Sequence, residues 1–345
     1  MFRIVQITAL IFGGLLLAPD DEVQSPPGLV TDTLPSELIV ETPPSGFSSL
    51  PEHPENNPLT DKKVALGRKL FFDPQLSRDG TVACSSCHRP DHGFANADKV
   101  AKGIKGRLGT RNVPTVFNRG FGESFAWDGK ATTLEEQVLT PITNANELGN
   151  TVEAVLAMLS SNKDYVASFK AAFGEKDSAV ESVVTAENLG KAIAAFERTL
   201  LYAETKVDRF RSAEYEALSR EARQGMWIFE SRGGCWKCHN GENFSDEQFH
   251  NTGVSFGIEN RDLGRFDITK NDDDRFKFKT PTLRGVELTP PYMHDGSLAT
   301  LKEVVEFYNK GGAPDDPSLD ADMEPLNLTD EEVGFLVEFL KALSQ

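Results

Sequence analysis

Positive charge is scarce in this sequence: 36 lysines and arginines stand against 53 aspartates and glutamates over 345 residues, a formal net charge of −17. Nucleic acid is thereby excluded as a partner, because binding it needs clustered Lys and Arg; an acidic surface instead favours a basic protein partner. Long apolar runs are equally scarce. The one run, Ile4 to Leu17, broken by Gln6 and Thr8, is shorter than the roughly 20 residues a membrane span requires. Preceded by Arg3, it reads as the core of an export signal over residues 1–18, with an uncleaved anchor as the alternative. No cysteine follows it, which excludes a lipoprotein. Strand patterns are few, and there are only four cysteines.

Residues 19–59 are rich in Pro, Ser and Glu, with Pro26, Pro27, Pro35, Pro43, Pro44, Pro51, Pro54 and Pro58. Such a composition buries too little apolar surface to order itself, so the segment reads as a linker. The chain as a whole, 39% hydrophobic and 26% charged, has the make-up of a soluble globular protein long enough for two domains.

All four cysteines fall in two copies of one pattern, Cys84-Ser85-Ser86-Cys87-His88 and Cys235-Trp236-Lys237-Cys238-His239. C-x-x-C-H is the haem-attachment signature: the thiols form thioethers to the haem vinyl groups, and the adjacent His becomes an axial iron ligand. A zinc site built from two C-x-x-C pairs would have them about 15–20 residues apart, not on the order of 150. Thioredoxin-like redox pairs would not need a His after each. Two covalently bound haems c are expected.

The flanks form a weak repeat. Gly67-Arg68-Lys69-Leu70-Phe71 precedes the first motif and Gly225-Met226-Trp227-Ile228-Phe229 the second, and an aromatic follows each ligating His (Phe94, Phe244). Helical patterns dominate. Leu189, Ile193, Phe196 and Leu200 recur at helical spacing. Thr300 and Glu303 form a capping box before the stripe Leu301, Val304, Val305, Tyr308, which ends at Gly311-Gly312. Thr329 and Glu332 cap a last helix with Val333, Leu336, Val337, Leu340 and Leu343 inward. The expected fold is mainly α, two cytochrome c-like haem domains packed against each other.

A haem with one protein ligand can bind a small molecule, whereas one with two relays electrons. Candidates for sixth ligands are His53, His92, His250, His294, the five methionines and the five tyrosines, with His53 in the linker and Met1 removed with the signal. Periodicity alone leaves Tyr308 either a core tyrosine with a satisfied hydroxyl or an axial ligand, with Met293 and Met226 as rivals.

Several blocks, in this order, resemble the bacterial di-haem cytochrome c peroxidases and their relative MauG, which oxidises a partner protein. They are Phe72-Asp73-Pro74-Gln75-Leu76-Ser77, Arg111-Asn112-Val113-Pro114-Thr115, Phe125-Ala126-Trp127-Asp128-Gly129-Lys130-Ala131, Glu136-Gln137 with Pro141, Glu147, Thr282-Leu283-Arg284, and Pro291-Tyr292-Met293-His294-Asp295-Gly296. The resemblance runs from about Ala65 to Leu343. It implies a peroxidatic haem domain over residues 60–203 and an electron-transfer haem domain over 204–345. The first haem, on Cys84, Cys87 and His88, would react with hydrogen peroxide, with Glu147 on its distal side and Gln137 and Pro141 lining that pocket. Trp127 would lie between the haems, and Asn112, Thr289 and Pro291 would hold a calcium ion through oxygen atoms. His294 matches a buried family histidine with a structural or a proton-handling role.

Two departures from the standard peroxidases bear on mechanism. Their distal His lies in the loop after the first haem site, but Gly93 to Arg111 contains no histidine, and His92 is too near His88 to match. The first haem is therefore expected to be open even when fully oxidised. Where they place a Met on the second haem, this chain has Tyr308, as MauG does; an anionic phenolate ligand would lower that haem's potential.

The implied function is reduction of hydrogen peroxide with electrons from a small redox protein (a cytochrome c or cupredoxin), by a MauG-like high-valent mechanism, in the periplasm. The alternative is a MauG-like oxidase that uses peroxide to modify residues of a partner protein. A plain electron carrier would need two six-coordinate irons, and the first-haem loop supplies no such ligand.

Overall fold

A computed structural model describes residues 39–174 and 178–345; the export signal and the first part of the linker lie outside the described residues. Among the described residues no helix is long and apolar enough to cross a membrane. The first half contains α1 (Asp61–Phe71), α2 (Cys84–Cys87), α3 (Leu134–Thr143), α4 (Val152–Ser161), α5 (Lys163–Phe173), α6 (Val180–Val183) and α7 (Ala186–Glu197). The second half contains α8 (Lys206–Arg211), α9 (Arg220–Glu230), α10 (Phe266–Thr269), α11 (Leu301–Asn309) and α12 (Asp330–Ala342). The only regular sheet among the described residues is a short antiparallel ribbon of β1 (Phe249–His250) and β2 (Phe278–Lys279). One apolar core extends from Val64 to Tyr202 and a second from Val207 to Leu343.

Threonine side chains accept from backbone N–H groups at the starts of α1, α3, α4, α7, α11 and α12, relieving the unpaired donors of each first turn. The boxes Thr300–Glu303 and Thr329–Glu332 are both formed. The stripe that begins at Leu189 differs from its sequence reading. α7 stops at Glu197, where the Thr199 hydroxyl donates to Phe196 O at 2.7 Å, and Leu200 is buried beyond the helix end.

The weak repeat is a structural duplication. α1 packs on α7 and α9 on α12, each crossing at a glycine. A Cβ on Gly67 would stand 1.8 Å from Ala192 O, and one on Gly225 would stand 1.9 Å from Phe335 O, so neither site admits a side chain. A matching trio of aromatic rings follows in each half. Phe71 lies 5.2 Å from Phe196 and 6.2 Å from Phe94; Phe229 lies 5.0 Å from Phe339 and 6.3 Å from Phe244.

From residue 39 onward the segment read as a linker is packed against both halves. Phe47 is buried, stacks on Phe121 at 4.6 Å and lies under the Arg284 guanidinium. Gly46 O accepts from Arg284 Nη2, and the Ser48 N–H donates to the Glu242 carboxylate. Asn57 is buried between Glu135 and Lys191 O. A few anchored side chains order this stretch despite its prolines, because proline costs little chain entropy on ordering.

Arg284 also makes a two-pronged ion pair with Asp208, at 2.6 and 2.9 Å, with both side chains at most 1% exposed. Removing one partner of such a pair strands a buried charge. Asp208→Ala is expected to cost about 3–5 kcal/mol in denaturant unfolding. Glu214→Ala, which breaks the exposed Arg209–Glu214 pair, should cost under about 1 kcal/mol. Equal losses would contradict this ranking.

Candidate haem cavities and their shared wall

Two cavities open inside the fold, one per half. The first, of about 400 Å³, is lined by Cys84, Cys87 and His88; the second, of about 250 Å³, by Cys235, Cys238 and His239. The two C-x-x-C pairs therefore serve separate sites, which removes the joint zinc reading. Burial pushes the Cys84 and Cys235 thiols up to about 12, so neither is a reactive thiolate.

Each histidine is oriented in the same way. His88 Nδ1 lies 3.1 Å from Phe94 O, and His239 Nδ1 lies 2.9 Å from Phe244 O. Both phenylalanines take left-handed backbone conformations, φ 52° and 49°, which turn these carbonyls toward the rings. With Nδ1 donating, Nε2 is left as the lone-pair nitrogen suited to a metal. Burial lowers both histidine pKa values, so both rings are neutral. Paired thiols and an oriented imidazole at the edge of a large, mostly apolar cavity fit a covalently held haem in each half.

The duplication extends to the opposite walls. Phe125-Ala126-Trp127-Asp128-Gly129 and Tyr292-Met293-His294-Asp295-Gly296 share one conformation. Each closes with a bridge (Phe125 to Ala131, Tyr292 to Leu298), with left-handed Ala126 and Gly129 matched by Met293 and Gly296. A threonine-capped helix follows each, α3 or α11. Leu134, Gln137, Val138 and Pro141 of α3 line the first cavity, and Leu301, Val304, Val305 and Tyr308 of α11 line the second in the same register. Pro141 thus occupies in the first cavity the place that Tyr308 occupies in the second. Likewise Ile193 and Glu197 of α7 correspond to Leu336 and Leu340 of α12.

Among the described residues, the first cavity is lined by one histidine, His88, and by neither methionine nor tyrosine. His92 does not line it and sits beside Asp91 at 3.3 Å. Glu147 does, with its Oε1 accepting from Asn144 Nδ2 at 2.6 Å. Burial raises its pKa, against the opposing pull of Lys130 and the Asn144 hydrogen bond. Gln137 presents a buried Oε1 with no hydrogen-bond partner among the described residues.

The second cavity contains Tyr308 and also Met293, whereas Met226 does not line it. Burial pushes the Tyr308 phenol well above its ordinary pKa, so without a cation beside it the group is neutral. His250 lines the cavity but has both ring nitrogens engaged, Nδ1 by Asp320 and Nε2 by Asp246, at 2.8 and 2.9 Å. The Cys238 sulfur first, and then these two carboxylates, push it up to about 10 against the pull of burial.

Asn112 to Thr115, Lys279 to Thr282 and Trp127 line both cavities and form the wall between them. Trp127 Nε1 donates to Asn112 O at 2.9 Å, and its ring meets that of His294 edge-on at 6.5 Å. His294 is buried and stacks on Phe278 at 3.5 Å; burial pulls it down to about 4. Asn112, Thr289 and Pro291 border the second cavity together. The Asn112 Nδ2 donates to Asp98 O and Lys99 O, and neither Thr289 O nor Pro291 O accepts a hydrogen bond among the described residues.

Residues 61–216 match the model of the di-haem cytochrome c peroxidase family. The methylamine utilization protein MauG of Methylorubrum extorquens is 39% identical over 84% of this chain and 80% of its own length. Cytochrome c551 peroxidase of Nitrosomonas europaea is 35% identical over 84% of this chain and 81% of its own. The chain belongs to the di-haem cytochrome c peroxidase and MauG family. It carries two covalently bound c-type haems and is an oxidoreductase acting on hydrogen peroxide. Among solved structures, a MauG-like protein associated with microbial copper homeostasis superposes with a TM-score of 0.81, at 30% identity over 88% of this chain and 95% of that one. The di-haem peroxidase BthA from Burkholderia thailandensis shares the fold, with a TM-score of 0.71 at 22% identity over 88% of this chain and 92% of its own.

Glu147, Gln137 and Pro141 thus meet in one cavity, Tyr308 faces the other, and Trp127 stands between them. Sequence reasoning missed Glu197, which the helical stripe of α7 hides among core positions, and the pairing of Pro141 with Tyr308. The latter was detectable: Trp-Asp-Gly and His-Asp-Gly precede capping threonines at equal spacing.

Proposed function

We propose that peroxide is reduced in the first cavity of the fully oxidised protein, and that Tyr308 would, with His239, hold the haem iron of the other cavity. One observation carries this reading: the duplicated helices set Pro141 where the partner cavity has Tyr308. Proline has no side-chain donor, so this position leaves the first site open while the phenol can close the second. A haem held by Cys84, Cys87 and His88 supplies the redox chemistry that takes the two oxidising equivalents of peroxide.

The chain's own residues handle the protons. Glu147, fixed by Asn144 and raised by burial, takes a proton from the near oxygen of peroxide and gives it to the leaving oxygen. Gln137 offers its unpartnered Oε1 to the peroxide O–H. Trp127, bonded to Asn112 and edge-on to His294, joins the two cavities and is the residue through which electrons pass. A calcium ion held by Asn112 and the carbonyls of Thr289 and Pro291 belongs to the same proposal, supported by their unengaged carbonyl groups on one wall.

The electrons come from a small redox protein, a basic cytochrome c or a cupredoxin suited to the acidic chain, after export to the periplasm. A second reading sends the oxidising equivalents through Trp127 to residues of a partner protein. Tyr308 and the 39% identity with MauG favour it.

Glu147→Gln keeps the shape but not the proton, and is expected to lower peroxide turnover by about 10²–10⁴ with both haems retained. Near wild-type turnover would contradict the role of Glu147. Tyr308→Met is expected to raise the potential of one haem only, measured by spectroelectrochemistry. An unchanged spectrum and potential would show that Tyr308 is not a ligand.

A further inference from the structure

The duplicated fold provides its own control for each cavity wall. Where α12 presents Leu340 to the second cavity, α7 presents Glu197 to the first, one residue after the matched pair Phe196 and Phe339. An apolar side chain is what a haem wall ordinarily wants at that place, so the acid needs a reason. Glu197 is only 8% exposed, and its neighbours along the wall include Ile193, Leu134 and Val138.

Among the described residues the two guanidiniums that act on Glu197, those of Arg198 and Arg119, are each bonded to another carboxylate. The charged groups that act on Glu197 are Arg198 on its own helix end, Glu135 on α3 and Arg119 from the turn after Asn118. Arg198 is committed to Glu135 by two bonds of 2.7 and 3.0 Å. Arg119 is committed to Glu247 by two of 2.9 and 3.1 Å. A buried carboxyl whose flanking guanidiniums are both taken keeps its proton, because an unpaired buried carboxylate is far costlier. Burial accordingly pushes Glu197 up to about 8, against the smaller downward pull of Arg198 and with a small upward push from Glu135. In the same cavity Gln137 Oε1 is a buried acceptor without a donor among the described residues. Glu197, Gln137 and Glu147 all line the first cavity.

We propose that Glu197 is the second proton-carrying residue of the first cavity, a carboxylic acid held protonated that supplies a net proton to peroxide reduction by way of Glu147. The inference rests on the acid–base role given to Glu147 above. Reduction breaks the O–O bond and consumes two electrons and two protons: H2O2 + 2e− + 2H+ → 2H2O. The redox partner provides the electrons. Glu147 relocates the proton that peroxide already carries, and so cannot by itself supply the two that are consumed. Glu197 gives up one of these and is recharged from solvent, and the other comes directly from solvent. Two carboxyls whose surroundings set different proton affinities divide the work between relay and reservoir.

The test uses holoprotein: wild type, Glu197→Gln and Glu197→Asp. The wild type should show the infrared carbonyl band of a protonated carboxylic acid, shifting in D2O, fading as pH rises through about 8 and missing from Glu197→Gln. Peroxide turnover, with a reduced small c-type cytochrome as donor, should fall along the same alkaline limb in the wild type. Glu197→Gln should lose that limb and run on the order of tenfold slower at pH 7, short of the loss expected for a direct proton-transfer group. Glu197→Asp should recover part of the rate and keep a limb. Thermal stability gives a further reading. A carboxyl raised on folding contributes stability that is full below its unfolded value and is lost as pH rises through its folded value, so Glu197→Gln should gain on wild type between pH 5 and 8.

Absence of the band from wild type, or an unchanged alkaline limb in Glu197→Gln, would overturn the proposal. The wild-type band and the Glu197→Asp profile decide the matter even if Glu197→Gln fails to fold. Full turnover in Glu147→Gln would instead sink the Glu147 reading, a separate result from the fate of the infrared band.

Discussion

The bond from each ligating histidine's Nδ1 to a phenylalanine carbonyl is the constraint on which the rest of the molecule depends. It fixes the tautomer, aims Nε2 into a cavity, and requires Phe94 and Phe244 to hold left-handed backbones. Those phenylalanines in turn pack on Phe71 and Phe229, which pack on Phe196 and Phe339 where the helices cross at glycine. Haem position, ring orientation and helix crossing are thus one linked arrangement, built twice.

Building it twice makes the differences informative. The two cavities share scaffold, ligating histidine, cysteine pair and an intervening wall, so their chemistry diverges through a few side chains at matched places. Pro141 against Tyr308 sets which site can accept a second ligand. Gln137 against Val304, and Glu197 against Leu340, put hydrogen-bonding and proton-holding groups in the first cavity at two places where the second is apolar. Glu147 adds the carboxylate. On the proposed reading, one site handles a protic substrate and the other stays closed to it.

Much of this was legible in the sequence, for identifiable reasons. Covalent attachment imposes a fixed spacing, so C-x-x-C-H announces itself, and the capping boxes at Thr300 and Thr329 are local devices visible in four residues. Other features depend on contacts between distant segments. The order of residues 39–59 hangs on Phe47 meeting Phe121 and Arg284, which no local composition reveals. Glu197 reads as the polar end of a helical stripe until α3 and the Arg119 turn are seen to deny it a counter-ion. The end of α7 before Leu200 turns on a single hydroxyl, that of Thr199.

The central claim is that the first cavity is open to peroxide in the resting, oxidised protein because Pro141 stands where a ligand would be. The most direct test mixes fully oxidised, never-reduced holoprotein with one equivalent of hydrogen peroxide and follows haem absorbance by stopped flow. The account expects immediate loss of peroxide and a prompt change in the Soret band without any added reductant. No reaction until one haem has been reduced beforehand would contradict it, since that result requires a sixth ligand in the first cavity.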